Sequence, residues 1–176
     1  MPIHSRVLNR FVWLGTKVLL NLLPVAVITA HESTIASLAA VAALMPIVSD
    51  MGGGAGSQAI AVSIRELSLN RVKPRDYFEV LVKETSVGII IGFLLAALLG
   101  IIFGLKQQNV NFGLLAAASI GLNTVIAVVV GGLLPLLLRR FRIDPAAASS
   151  PLLTTVTDTV GFWLVLTLAD KWLNVL

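Results

Sequence analysis

Near the end of the chain, the run SSPLLTTVTDTVGFWLVLTLA places one carboxylate, Asp158, inside a stretch that is otherwise apolar or hydroxylic. Ser150, Thr154 and Asp158 are spaced four apart, so on a helix they share one face. Thr155 and Thr157 add hydroxyls close by. That face offers oxygen ligands and neither nitrogen nor sulfur, a donor set that favours hard cations such as Mg²⁺, Ca²⁺ or Mn²⁺ over zinc or copper. A plainer role for Asp158 is a neutral carboxyl hydrogen-bonded within a helix bundle, or a partner for Lys17. Lys17 lies close to the end of its own apolar run, where it can snorkel toward water, and is a poor match for an acid at mid-depth.

A second polar stretch, SDMGGGAGSQ at 49–58, follows the oily run IASLAAVAALMPIV. Pro46 removes a backbone donor, and Gly52, Gly53 and Gly54 have low helix propensity. The combination predicts a weakened helix end whose freed carbonyls face a water-lined cavity and serve an ion or its hydration water. Asp50 adds a second carboxylate to this candidate metal site. Gly52 and Gly56 also form a small-xxx-small pair suited to close helix packing, and the two uses are compatible. No Gly-Lys-Ser/Thr follows the glycines, so they are not a phosphate-binding loop, and no strand precedes them as a dinucleotide fold requires. Val48 and Ser49 stand where an intramembrane aspartyl protease would carry Gly-x-Gly before its aspartate, so no enzyme is expected.

The elements that must position these groups follow from composition. Of 176 residues, 57% are hydrophobic and only 12% charged, with a mean hydropathy of +0.94; a water-soluble domain carries about twice that charged share. An all-α integral membrane protein is expected, with residues 1–176 forming one transmembrane domain. Five stretches are long enough to cross a bilayer as helices: roughly 11–30, 33–64, 80–105, 112–138 and 145–172. The first apolar run continues past the ~7 to 15 residues of a signal peptide and ends without a small-residue cleavage site. There is no cysteine, and the two histidines are far apart, which excludes disulfides, thiolate metal centres and a zinc or haem site.

Basic residues orient the spans. Arg6 and Arg10 precede the first; Arg65, Arg71, Lys73, Arg75 and Lys83 lie between the second and third; Arg139, Arg140 and Arg142 lie between the fourth and fifth. The other connections hold only Lys106. The positive-inside rule then predicts a cytoplasmic N-terminus and an external C-terminus. In the third span Gly88, Gly92, Ala96, Gly100 and Gly104 form a flat stripe where another helix can approach closely.

These residues resemble the transmembrane domain of the MgtE magnesium channel/transporter family. One motif, MPIVSDMGGGAGSQAIAVSIRELSLNRV, is similar to the family's Pro-containing helix followed by Gly-Gly-Asn-x-Gly-x-Gln and a basic connection. The other, DPAAASSPLLTTVTDTVGFWLVLTLA, is similar to its Asp-Pro-Ala…Thr-x-x-Asp signature, and Glu32 matches an acidic residue at the first hairpin. The resemblance implies a homodimer in the plasma (inner) membrane, with the ion path along the dimer interface between the second and fifth helices. It implies that Asp158 of each subunit holds a largely hydrated Mg²⁺, with Mn²⁺ or another divalent ion as a substitute. Ser150, Thr154 and backbone carbonyls of the glycine stretch would complete the site. Two positions depart: Gly54 stands where the family has asparagine, and Ser150 replaces another. Family members also carry cytoplasmic regulatory domains ahead of the membrane part, while about ten residues precede the first span here. A truncated chain or a short form gated differently is expected.

The expected function is a divalent-cation channel or transporter. Two alternatives remain open at this point. One is a carrier coupled to H⁺ or Na⁺, in which Asp158 and Asp50 load the coupling ion; the other is a non-transporting membrane subunit whose polar residues serve assembly.

Overall fold

In hydrocarbon a backbone must satisfy its own hydrogen bonds, which makes helices the default for apolar runs of this length. A computed structural model describes residues 3–37 and 39–173. Its helices run, in order, α1 (Ile3–Leu20), α2 (Leu22–Ala30), α3 (Glu32–Ser37), α4 (Ala39–Ser68), α5 (Tyr77–Lys106), α6 (Val110–Arg140) and α7 (Pro145–Leu173). Among the described residues there are five candidate spans: Phe11–Ala30, Ala39–Ser68, Tyr77–Lys106, Val110–Arg140 and Pro145–Lys171. They match the expected five and extend several by about a turn, because helix geometry continues past the apolar run. The first span is broken at Asn21 into α1 and α2. The expected second span begins in the short α3, and its Leu38 lies outside the described residues, as do the ends of the 1–176 domain at 1–2 and 174–176.

Local chemistry sets the helix starts. The Asn109 side chain accepts from the N–H groups of Asn111 (2.9 Å) and Phe112 (3.2 Å), capping α6. Asp144 accepts from Ala146 N–H (3.0 Å) with Pro145 opening α7, a first helical position where proline's missing donor is not needed. The Asp-Pro-Ala signature is thus helix-start chemistry. The turns after α4, α5 and α6 repeat one design. Asn70, Gln108 and Arg142 adopt left-handed φ values of 52°, 50° and 61°. Each is bracketed by the same two backbone bonds: Arg71 to Glu66 and Asn70 to Leu67, Asn109 to Gly104 and Gln108 to Leu105, Ile143 to Leu138 and Arg142 to Arg139. This is the Schellman closure, usually built on glycine.

The described glycines have no positive φ; they serve as space inside the bundle. The α5 stripe packs on a second stripe in α6, and α5–α6 is the most extensive helix pair. A Cβ at Gly100 would lie 2.7 Å from that of Ala117, and one at Gly92 would lie 2.8 Å from the Gly121 carbonyl. The α4–α6 crossing is tighter still. A Cβ at Gly131 would collide with the Gly56 carbonyl, and one at Gly56 would lie 2.7 Å from the Ala127 carbonyl. Toward the start of α4, helices α4, α6 and α7 form the main core: Val41, Leu44 and Val48 meet Leu115, Ala116 and Ile120, and Val165, Leu166 and Ala169. The first span leans on α7 and leaves Phe11, Val18 and Leu19 exposed, as α5 does with Phe93 and Ile101. Such faces suit lipid.

Gly131→Ala should therefore lower bundle stability by about 1–3 kcal/mol, the usual cost of overpacking, read as a lower midpoint of thermal unfolding in detergent. Gly15→Ala, where an added Cβ meets nothing within 4 Å, should not lower it.

Candidate functional site

Asp158 lies ~20 Å along α7 from Pro145 at ~1.5 Å rise per residue, near mid-membrane depth. Its face opens by degrees: Asp158 and Thr154 are half-buried and Ser150 is exposed. Thr155 and Thr157 are turned inward, at 4% and 1% exposure. The threonines satisfy themselves on the helix: Thr154 and Thr155 donate to the Pro151 carbonyl (3.1 and 3.0 Å), and Thr157 donates to the Thr154 carbonyl (3.1 Å). Asp158 finds its partner on another helix. The Ser49 hydroxyl of α4 donates to Asp158 Oδ1. The partner is thus Ser49, and the plainer pairing with Lys17 is not what the structure forms.

The glycine stretch departs from expectation. α4 is helical without a break from Ala39 to Ser68, with Pro46 inside it, so Gly52, Gly53 and Gly54 are not a weakened helix end. Each glycine has a separate use. Gly52 is buried against Asn123, Gly53 is half-buried facing Thr157, and Gly54 is exposed. Pro46, Asp50, Gly54 and Gln58 are all exposed. Their four-residue spacing puts them on one stripe of α4 that nothing among the described residues covers. Beside it opens a cleft of ≈ 610 Å³ lined by Pro46, Ile47, Ser49, Asp50, Met51 and Phe162. The structure therefore brings Ser49 to Asp158 and leaves Asp50 on the open face next to it.

Sequence reasoning missed Ser49, and it missed Asn123. Asn123, on α6, is fully buried, and its Nδ2 donates to the Val48 carbonyl at 2.9 Å. The rule that flags Asp158, a polar side chain deep in an apolar span, flags Asn123 equally. Among the described residues no three acidic, histidine or cysteine side chains converge to cage a metal. A single chain thus offers one carboxylate with hydroxyls and backbone oxygens nearby, which suits a hydrated ion better than a stripped one.

Comparison with known proteins decides the family. The family model for MgtE, described as a divalent cation transporter, matches residues 45–168, well over half of the chain and all of the candidate site. The chain belongs to the MgtE family. With its five apolar helices, it is a multi-pass membrane protein. Among its MgtE relatives, the magnesium transporter MgtE of Bacillus subtilis is 30% identical over 94% of this chain and 37% of its own length. That of Thermus thermophilus is 32% identical over 92% of the chain and 36% of its own length. The chain thus spans little more than a third of these MgtE proteins.

The distinct uses of neighbouring glycines are testable. A Cβ at Gly52 would lie 2.5 Å from Asn123 Nδ2, while one at Gly54 meets nothing within 4 Å. Gly52→Ala should displace Asn123 from the Val48 carbonyl and cost about 1–3 kcal/mol of stability. Gly54→Ala should leave the unfolding midpoint of the purified protein where it was.

Proposed function

We propose that the protein carries divalent cations, Mg²⁺ foremost, across the plasma membrane through a path at the interface of a homodimer, with Asp158 of each subunit as the main acidic group. The observation that carries this reading is the open stripe of α4. Asp50 and Gln58 stand exposed at bilayer depth, and Asp50 lines the same cleft as Ser49, the hydrogen-bond partner of Asp158. Facing lipid, such groups would cost several kcal/mol, so water or a second copy of the chain covers them. A two-fold pairing through α4 and α7 supplies both, setting two carboxylates across one wet channel.

Mg²⁺ gives up water reluctantly and usually keeps several of its ligands as water. Asp158 then acts on the hydrated ion by charge and by accepting hydrogen bonds from its waters. Thr154 and Ser150, at the more open end of the α7 face, offer hydroxyl oxygens to the same shell. Since α4 is unbroken, its carbonyls are already bonded within the helix. A carbonyl oxygen has a second lone pair, however, and Gly53 and Gly54 lack the side chains that would keep hydration water from it. Asp50 adds negative charge at the same face. Ser49 holds one Asp158 oxygen, which keeps the carboxylate oriented when no ion is present. The arginines and lysines that cluster at the α4–α5 and α6–α7 connections support a cytoplasmic N-terminus. The family match and the magnesium transporters among the relatives support the choice of ion.

Two experiments test the reading. In proteoliposomes, Asp158→Ala should reduce Mg²⁺ uptake roughly tenfold or more, since a charge-assisted contact with the hydrated ion is lost; unchanged uptake would remove Asp158 from the path. Uptake that requires an imposed pH or sodium gradient would instead make Asp158 and Asp50 the loading groups of a coupled carrier. The second experiment exploits a chain without cysteine. Gly54→Cys should cross-link to a covalent dimer with a short bismaleimide in membranes, whereas a cysteine at lipid-facing Phe93 should not.

A further inference from the structure

We propose that Asn123 is a positioning residue for the Asp158 ion site and acts through the α4 backbone and the Ser49 hydroxyl; this rests on the reading of Asp158 given above. Asn123 is fully buried and belongs to α6, a helix that contributes nothing to the open polar stripe. Its Nδ2 donates to the carbonyl of Val48 at 2.9 Å, the peptide that leads directly into Ser49, and Ser49 in turn donates to Asp158. One continuous line of contacts therefore joins the centre of the bundle to the acidic group.

The seat of this carboxamide is made by both helices that it serves. A Cβ at Gly52 of α4 would lie 2.5 Å from Asn123 Nδ2, and one at Gly161 of α7 would lie 2.9 Å from it. Gly52 is one turn beyond Ser49, and Gly161 is one turn beyond Asp158, so the clamp sits at the level of the site. The hydrogen bond is not needed to satisfy the backbone. α4 is helical through this segment, so the Val48 carbonyl has its intrahelical partner, and Asn123 takes the second lone pair. Meanwhile Asn123 Oδ1 is buried with no protein partner among the described residues. An apolar side chain of similar size would fill the seat without burying an unpaired acceptor. The amide is thus costly as mere filling, and its return is the fixed direction of the Val48–Ser49 peptide.

That direction bears on ion choice. Ser49 occupies one oxygen of Asp158, which restricts how many hydration waters the carboxylate accepts and at what angle. A small, tightly hydrated ion is sensitive to such restriction, and a larger ion with a looser shell is less so. Loss of the Asn123 contact frees the peptide, loosens Ser49 on Asp158 and blunts the distinction.

The test is a double-mutant cycle on the full chain in proteoliposomes, with Mg²⁺ and Ca²⁺ uptake measured against concentration. Asn123→Leu and Ser49→Ala should each raise the Mg²⁺ concentration for half-maximal uptake roughly three- to tenfold, change the maximal rate less, and lower the preference for Mg²⁺ over Ca²⁺. The double variant should be no worse than Ser49→Ala alone, because Asn123 works through Ser49. If Asn123→Leu does not fold, Asn123→Ser, too short to reach Val48, takes its place in the cycle. Multiplying effects in the double variant overturn the proposal, and so does an Asn123 variant that lowers only the maximal rate or the amount of folded protein. Asp158→Ala in the same assay separates the two levels: its full activity would remove the ion site and this inference together. Its loss of activity combined with multiplying effects would remove this inference alone.

Discussion

At the crossing of α4 and α6, backbone meets backbone, and the rest of the site depends on that contact. Gly56 and Gly131 touch with no side chain between them, which fixes how far α4 can slide or roll against α6. In lipid there is no hydrophobic force to press helices together, so close packing of small residues is a main source of their association. With the crossing fixed, Val48 falls beside Asn123, Gly52 leaves room for the carboxamide, and Ser49 comes round to α7. A side chain at either glycine would act on the Ser49–Asp158 contact without touching it.

The polar groups divide by how they are satisfied. Thr154, Thr155, Thr157 and Thr159 donate to carbonyls within a turn of their own helix, so α7 can carry many hydroxyls at membrane depth without outside partners. Asp158 has no such local remedy, since a carboxylate is an acceptor and the helix offers it no free N–H in mid-course. Its partner has to come from elsewhere, and Ser49 supplies it. Asp50 and Gln58, on the outer face of α4, are left to whatever covers that face. This unequal treatment makes one side of the bundle polar and leaves the other apolar.

Much of this was legible in the sequence. The five spans and the face shared by Ser150, Thr154 and Asp158 are local properties of apolar length and helical period. The α5 stripe was legible for the same reason. The Ser49–Asp158 bond could not be read, because it depends on which faces of two distant helices meet. Asn123 could have been marked by its depth in an apolar span, but its role depends on the same meeting. The expected break in α4 failed for an instructive reason. Membrane helices tolerate proline and glycine where neighbouring helices and side chains support the backbone, and the absent glycine side chains become room for other groups. For Gly54 the room faces outward.

The turn between α5 and α6 has a consequence of its own. Gly104 lies against Gly113, Gly100 against Ala117, and Ala96 against Gly121, so partners recede from Gln107–Asn109 in equal steps on both helices. The turn is a ruler. Loops on most proteins absorb insertions readily, but one extra residue here would rotate α6 by about 100° relative to α5 and set branched side chains against the glycines. Length variation in this part of the chain is therefore confined to steps that restore the helical phase, and the shortest connection between two candidate spans carries one of the strictest constraints.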